Sequence, residues 1–398
     1  MKSTTLAVLL IALAFVGIPA LHPSAASGGN TLHVGATETY HTIQAAVNAA
    51  QPGDSVLVDA GTYQEEVTIT TPDITLAGVD RDTVVLEGSG FLGNGVSVTA
   101  NGVAIHTMTA RDYTSNGFQF SGVDGFAMTD LHAIDNSQYG LYAIHSVNGD
   151  ISHSVGTGHA DSAFYIGETY HCNCDVHDNV GYHNMLGYSG TANSYVRIWN
   201  NEFYDNRAGI LMSVLPSEMG IDSSNHFEGT QVHTSIYNNN IHDNNCQCPT
   251  SGIFSTLHPP IGEGITIAGG WMNDIHDNTI TENHYCGVCE FWLSTPERGN
   301  AVHDNTITGG RYGIWWDEWG EDNCFEHNAI SNVQTTSDPA QLPSCAPLVP
   351  GAPQGCPDAL TDWAACRASD VRAPSAAKDA NLALRSYDDL QPDQDPLP

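Results

Sequence analysis

VHDN at Val176–Asn179 returns as IWNN at Ile198–Asn201, IYNN at Ile236–Asn239, IHDN at Ile275–Asn278, VHDN at Val302–Asn305 and FEHN at Phe325–Asn328. In the last five copies an apolar residue stands two places after the Asn: Phe203, Ile241, Ile280, Ile307 and Ile330. The first copy has Gly181 there. Upstream, Ile105, Met128 and Ile151 take the anchor place, with Met108, Leu131 and Ser154 where the Asn would be. Successive anchors are 23, 23, 25, 22, 38, 39, 27 and 23 residues apart. A period near 23 broken by insertions marks a solenoid, in which each repeat buries its apolar face only against its neighbours.

Apolar residues two apart belong to one face of a strand. An Asn between two short strands tolerates a left-handed backbone and bonds to its own turn. Stacked Asn179, Asn201, Asn239, Asn278, Asn305 and Asn328 can also bond to one another as a ladder. A second phrase follows most anchors by 11 or 12 residues, as in Gly117-Phe-Gln-Phe, Gly140-Leu-Tyr-Ala, Ala163-Phe-Tyr-Ile, Gly209-Ile-Leu-Met and Gly313-Ile-Trp-Trp. Three short strands per turn follow from this. The expected fold is all-β, a right-handed parallel β-helix of about 10–11 coils with a short N-terminal capping helix. The pattern resembles the pectate-lyase-like superfamily of parallel β-helix proteins, Asn ladder included, over residues 31–333. That resemblance implies a fold that hosts many chemistries.

The chain carries 45 Asp and Glu against 11 Lys and Arg, a net charge of −34. Such a charge speaks against nucleic acid or an anionic membrane as partner, and is suited to solubility in salt. After the leader the one lysine is Lys378, in the tail, so no lysine serves as a base in the helical body.

Met1–Ala26 reads as a secretory signal: Lys2, the apolar run Leu6–Leu21, then Ser24-Ala25-Ala26. The run is too short to span a membrane, and the chain is expected to be secreted or at the cell surface. Residues 27–333 form the solenoid. Within it 27–55 are the N-terminal cap, where amphipathic YHTIQAAVNAA (Tyr40–Ala50) supplies the helix. An uncovered end would be an open strand edge. Thr42–Ile69 looks like the opening of pectin methylesterases, but the catalytic segments of that family have no counterpart. Gly88-Ser-Gly90-Phe-Leu-Gly93 matches a dinucleotide motif, yet a strand follows where a phosphate cradle needs a helix. Residues 334–370 read as a disulfide-tied cap, and 371–398 as an acidic, Pro-rich disordered tail. Ten cysteines in an exported chain point to disulfides. Cys246 and Cys286, 10 and 11 residues past their anchors, are expected to bridge neighbouring rungs.

Two insertions, Ser213–Val232 and Cys246–Glu263, flank the Gly-led strand. Long loops on a regular scaffold carry function. Alternation along that strand gives an outward column of Gln119, Tyr142, Tyr165, Ser189, Leu211, Cys289 and Trp315. His145, Glu168, Trp292 and Glu318 share the strand's end, and Arg207 precedes it.

Cleavage or epimerisation of a uronate polymer begins with removal of the C5 proton beside a carboxylate. It needs a base, an acid for the departing oxygen and a cation on the carboxylate. His145, Tyr165 and Arg207 are the expected catalytic residues. Tyr142, Trp292 and Trp315 are the expected sugar contacts, and Asp161 with Glu168 a calcium site that could replace the arginine. A hydrolase would instead pair carboxylates about 5–9 Å apart, with Asp317 and Glu318 beside Glu290, or Asp161 beside Glu168, as candidates. The His-Asp doublets at His177, His276 and His303 read as turn chemistry rather than a metal row. The resulting expectation is an elongated monomer that acts on or binds extracellular polysaccharide, as a polyuronate lyase or C5-epimerase. The alternatives are an adhesion-type β-helix, an accessory protein resembling periplasmic copper-site maturation factors, and a glycoside hydrolase.

Overall fold

The computed structural model describes residues 29–214, 231–250, 261–293 and 297–345. The leader, most of both insertions, the acidic tail, and Cys356 and Cys366 lie outside these residues. What is described winds as a parallel β-helix, each strand pairing in register with its counterpart one coil away. The Gly-led sheet has 11 strands, running from Val67–Ile69 to Thr335–Asp338. The other two strand columns merge into one 21-stranded sheet, because Val103–Arg111 and Asp124–Ile134 run round the corner unbroken.

The core is a set of vertical apolar stacks. Ile151, Val176, Ile198, Ile236, Ile275, Val302 and Phe325 form one, and Phe203, Ile241, Ile280 and Ile307 a second. Phe164, Tyr188, Ile210, Ile265, Val288 and Ile314 close the third side. Each fully buried aliphatic side chain contributes about 1.5–3 kcal/mol.

Asparagine makes the corners. Asn239 is buried; its Oδ1 accepts from the N–H and Nδ2 of Asn201, and its Nδ2 donates to Ile198 O and Asn278 Oδ1. The left-handed residue is not the ladder Asn but the one before it: Asp178, Asn200, Asn238, Asp277, Asp304 and His327. That residue reverses the chain and leaves the next side chain pointing inward, where it bonds backbone groups that the turn has left unpaired. The same device builds two further ladders. One runs through Asn184, Asn206, Asn244 and Asn283. The other runs through Asn273, Asn300 and Asn323. The His-Asp doublets belong to the first corner: His276 and His303 stack at 5.2 Å, and each bonds the left-handed Asp that follows it at 2.8 Å.

Glycine leads its strand because coils pass too closely there for a Cβ. A Cβ on Gly187, Gly209, Gly264 or Gly287 would lie 2.7, 2.6, 2.4 or 2.8 Å from the carbonyl oxygen of the corresponding glycine on the next coil. Gly264→Ala would also strike the Ile280 side chain at 2.6 Å. We expect it to cost about 2–3 kcal/mol, read as a lowered denaturant midpoint. A loss under about 0.5 kcal/mol would mean that the coils separate freely.

The N-terminal helix spans Ile43–Ala49, capped by Thr42, and buries Ile43, Ala46 and Val47 on the end of the solenoid. Glu65, from the first coil, accepts from the N–H groups of Ile43 and Gln44 at 2.9 and 3.0 Å and ties the helix down. At the other end the sheet runs past the residue where the repeat becomes unreadable. Thr335–Asp338 pairs with Tyr312–Trp316, and Cys324 is bonded to Cys345.

The rung-to-rung bridge expected between Cys246 and Cys286 is not formed. Cys246 pairs with Cys248 and Cys286 with Cys289, and a further local pair joins Cys172 to Cys174. Counting from the anchor fails here because the second insertion lies between Cys246 and its Gly-led strand. The register partner of Cys286 is therefore Glu263, beyond that insertion.

Candidate functional site

The outward column is present in register: Gln119, Tyr142, Tyr165, Ser189, Leu211, Thr266, Cys289 and Trp315. Thr266 fills the rung left blank by the sequence phrase, because its strand, Glu263–Ala268, follows the second insertion. The face divides in two. Toward the C-terminus, Leu186, Ala208, Leu211, Cys289, Phe291 and Trp315 make an apolar cluster separate from the core. Toward the N-terminus the face is aromatic and acidic.

That N-terminal part is the candidate site. Tyr139, Tyr142 and Tyr165 pack ring to ring, with centroids 4.7, 5.0 and 4.8 Å apart. Neighbouring coils place Tyr142 and Tyr165 at one register position, and Tyr139 leans in from the corner before Gly140. Asp161 is 6% exposed and hydrogen-bonded to Tyr139, while its Oδ1 has no hydrogen-bond partner among the described residues. Burial pushes the Asp161 carboxyl up to about 7, against the pull of the Tyr139 hydrogen bond. Burial also raises all three tyrosines above the ordinary phenol range, so they stay protonated hydroxyl donors at neutral pH. At the strand ends His145 is exposed, and its Nε2 lies 3.1 Å from Glu168 Oε2. Both residues have a left-handed backbone, φ 51° and 48°, which turns their side chains toward each other on adjacent coils.

The expected residues thus fall into three groups. Tyr142, Tyr165, Asp161, His145 and Glu168 come together. Tyr165 is only 5% exposed, whereas Tyr142 and Tyr139 are partly exposed as residues. Arg207 stands apart: by register it lies two rungs from Asp161, about 10 Å along the axis, and its Nη1 donates to Cys248 O at 3.1 Å. Trp315 is six rungs from Tyr142, about 29 Å away, and packs against Phe291 at 6.1 Å. Trp292 is in the same C-terminal region, its N–H donating to Asp317 Oδ2. Glu168 and Asp161 find no third metal ligand: among the described residues no group of three or more His, Cys, Asp or Glu is placed to hold a metal ion.

Of the hydrolase carboxylates, Glu290 does not face the groove. It lies between Ile267 and Trp316 in the inward column and is fully buried. Tyr139 went unrecognised in the sequence because it sits one residue outside the strand phrase. Its one signal is its place immediately before Gly140.

No protein-family model matches the chain, and no curated protein matches it in sequence. Solved structures match its shape. The A-module of a mannuronan C-5 epimerase from Azotobacter vinelandii superposes with a TM-score of 0.53 at 16% identity, over 74% of this chain and 92% of that one. An exopolygalacturonase from Thermotoga maritima gives 0.52 at 11% identity, over 71% and 80%. The fold is that of the pectate-lyase-like parallel β-helix proteins. Among the described residues no helix is long and apolar enough to cross a membrane.

Proposed function

We propose that the chain acts on an extracellular polyuronate by withdrawing the proton at C5, as a lyase or C5-epimerase. The observation that carries this reading is the cluster itself. Three tyrosines pack together beside a buried aspartate, and an exposed imidazole is held by a carboxylate one coil away. Glu168 accepts from Nε2–H of His145, which leaves Nδ1 unprotonated to take the C5 proton. Tyr139 or Tyr142 donates its hydroxyl proton, to the departing oxygen in a lyase or to the opposite face of C5 in an epimerase. Asp161 orients Tyr139. The shape shared with a mannuronan C-5 epimerase module supports the same substrate class.

The test is direct. The purified chain is incubated with alginate, pectate and other uronate polymers. Absorbance of unsaturated ends reports lyase action, and proton NMR of the sugar C1 and C5 positions reports epimerisation. We expect one polymer to respond. No change in any polymer by either readout would overturn the reading.

A further inference from the structure

The interior of the last coils contains acid groups that the proposed chemistry does not use. Glu290 is 0% exposed, and neither carboxyl oxygen has a hydrogen-bond partner among the described residues. Its strand, Cys286–Phe291, alternates: Cys289 and Phe291 join the outer apolar cluster, while Glu290 shares the inward column with Ile267 and Trp316. Glu297 is also 0% exposed. Its Oε1 accepts from the Trp316 indole N–H at 2.8 Å, its Oε2 meets no N–H or hydroxyl donor among the described residues, and the Asp317 carboxyl lies against it. Asp317 completes the group, held by the N–H groups of Trp292 and Trp319 at 2.8 and 3.0 Å.

Among the described residues no positive group faces these carboxyls. The core positions of the other two strand columns at these coils are Ile275, Ile280, Val302, Ile307 and Phe325, none of them titratable. On the adjoining Gly-led strands, Glu263 and Tyr312 lie at the opposite, N-terminal end. Arg298, next to Glu297, lies 4.0 Å from Asp322 on the exposed side. A buried carboxylate with neither a cation nor donors is costly, whereas its neutral form is tolerated.

We propose that these carboxyl groups form a pH-set latch: uncharged, they let the last coils close under the Trp292 and Trp315 face, and ionised, they force those coils open. Burial, then the Asp317 charge, pushes Glu290 up to about 8, and burial moves Glu297 in the same direction. A free glutamate ionises near 4.3, so the folded chain holds protons that the unfolded chain has released. Stability from the latch is full below about 4.3 and is lost progressively as pH rises toward 8. The composition adds a separate pH dependence, since 45 acidic against 11 basic residues repel one another at high pH, while at low pH the 19 histidines become charged as the carboxylates neutralise.

The test compares the full chain with Glu290→Gln and with Glu290→Gln/Glu297→Gln, whose amides cannot ionise. Thermal midpoints are measured from pH 5 to pH 9. Surface repulsion is common to all three, so the difference between their curves reports the latch. We expect the wild-type midpoint to fall by about 5 °C or more beyond that of the double variant. Parallel curves would overturn the proposal. If the variants fail to fold, infrared spectra of Asp161→Asn, which removes the other buried carboxyl of raised affinity for protons, decide: the carbonyl stretch of a buried neutral carboxylic acid should persist at neutral pH and weaken as pH rises through about 8 to 9. In the same window, amide exchange should accelerate first in 286–338. Absence of that band at neutral pH would sink the idea.

Discussion

Asn239→Ala should destabilise the protein by about 3–5 kcal/mol, more than any exposed substitution on the same coil. The change leaves a small void and several unpaired groups. Asn201 loses the acceptor for both its N–H and its Nδ2 at 3.0 Å, and Ile198 O and Asn278 Oδ1 each lose a donor at 2.9 Å. All lie inside the solenoid, where water does not replace them. The neighbouring Asn240→Ala is the control. It is exposed and makes one contact, to Glu202 at 3.2 Å, so its effect should stay within about 0.5 kcal/mol. Denaturant midpoints of the two variants check both values. Equal, small losses would show that the ladder is decoration and that the apolar stacks alone hold the coils. Because each coil touches only its neighbours, damage at this rung should open both sides of it.

The second large effect is chemical. Given an active polymer, His145→Ala should lower kcat by about 10²–10⁴-fold with the fold retained, the usual contribution of a positioned base. Arg207→Ala should behave differently. Two rungs from Asp161, the arginine would meet a neighbouring sugar's carboxylate on the proposed substrate, so its loss should raise KM about tenfold, one charged contact's worth, and spare kcat. With Tyr139 as the acid, the wild-type rate should fall as pH rises through about 7, where Asp161 ionises and holds the Tyr139 hydroxyl proton that the substrate needs. Asp161→Asn should abolish that limb. Undiminished activity in His145→Ala would remove the site assignment, even with a reactive polymer in hand.

Much of this was legible before any coordinates. The Asn-anchored phrase named the fold, and its period assigned most residues a sheet and a face. Tyr142 over Tyr165 and His145 beside Glu168 follow from that frame, because identical phases one coil apart must be neighbours. The frame slipped where an insertion intervened. Cys286 was matched to Cys246 when its partner in register is Glu263.

What the sequence determined by itself is periodic: a solenoid, its capping helix, and the column on which chemistry would sit. Periodicity suffices because every strand bonds to the same phase of the next coil. Burial is not periodic, and only the tertiary structure decided it. It withdrew Tyr165 from the surface and offered Tyr139 instead. It also turned Glu290 from a groove carboxylate into an unpartnered acid in the core. Whether a side chain at a given phase meets water, an apolar stack or another charge depends on what distant segments bring against it, and no local repeat encodes that.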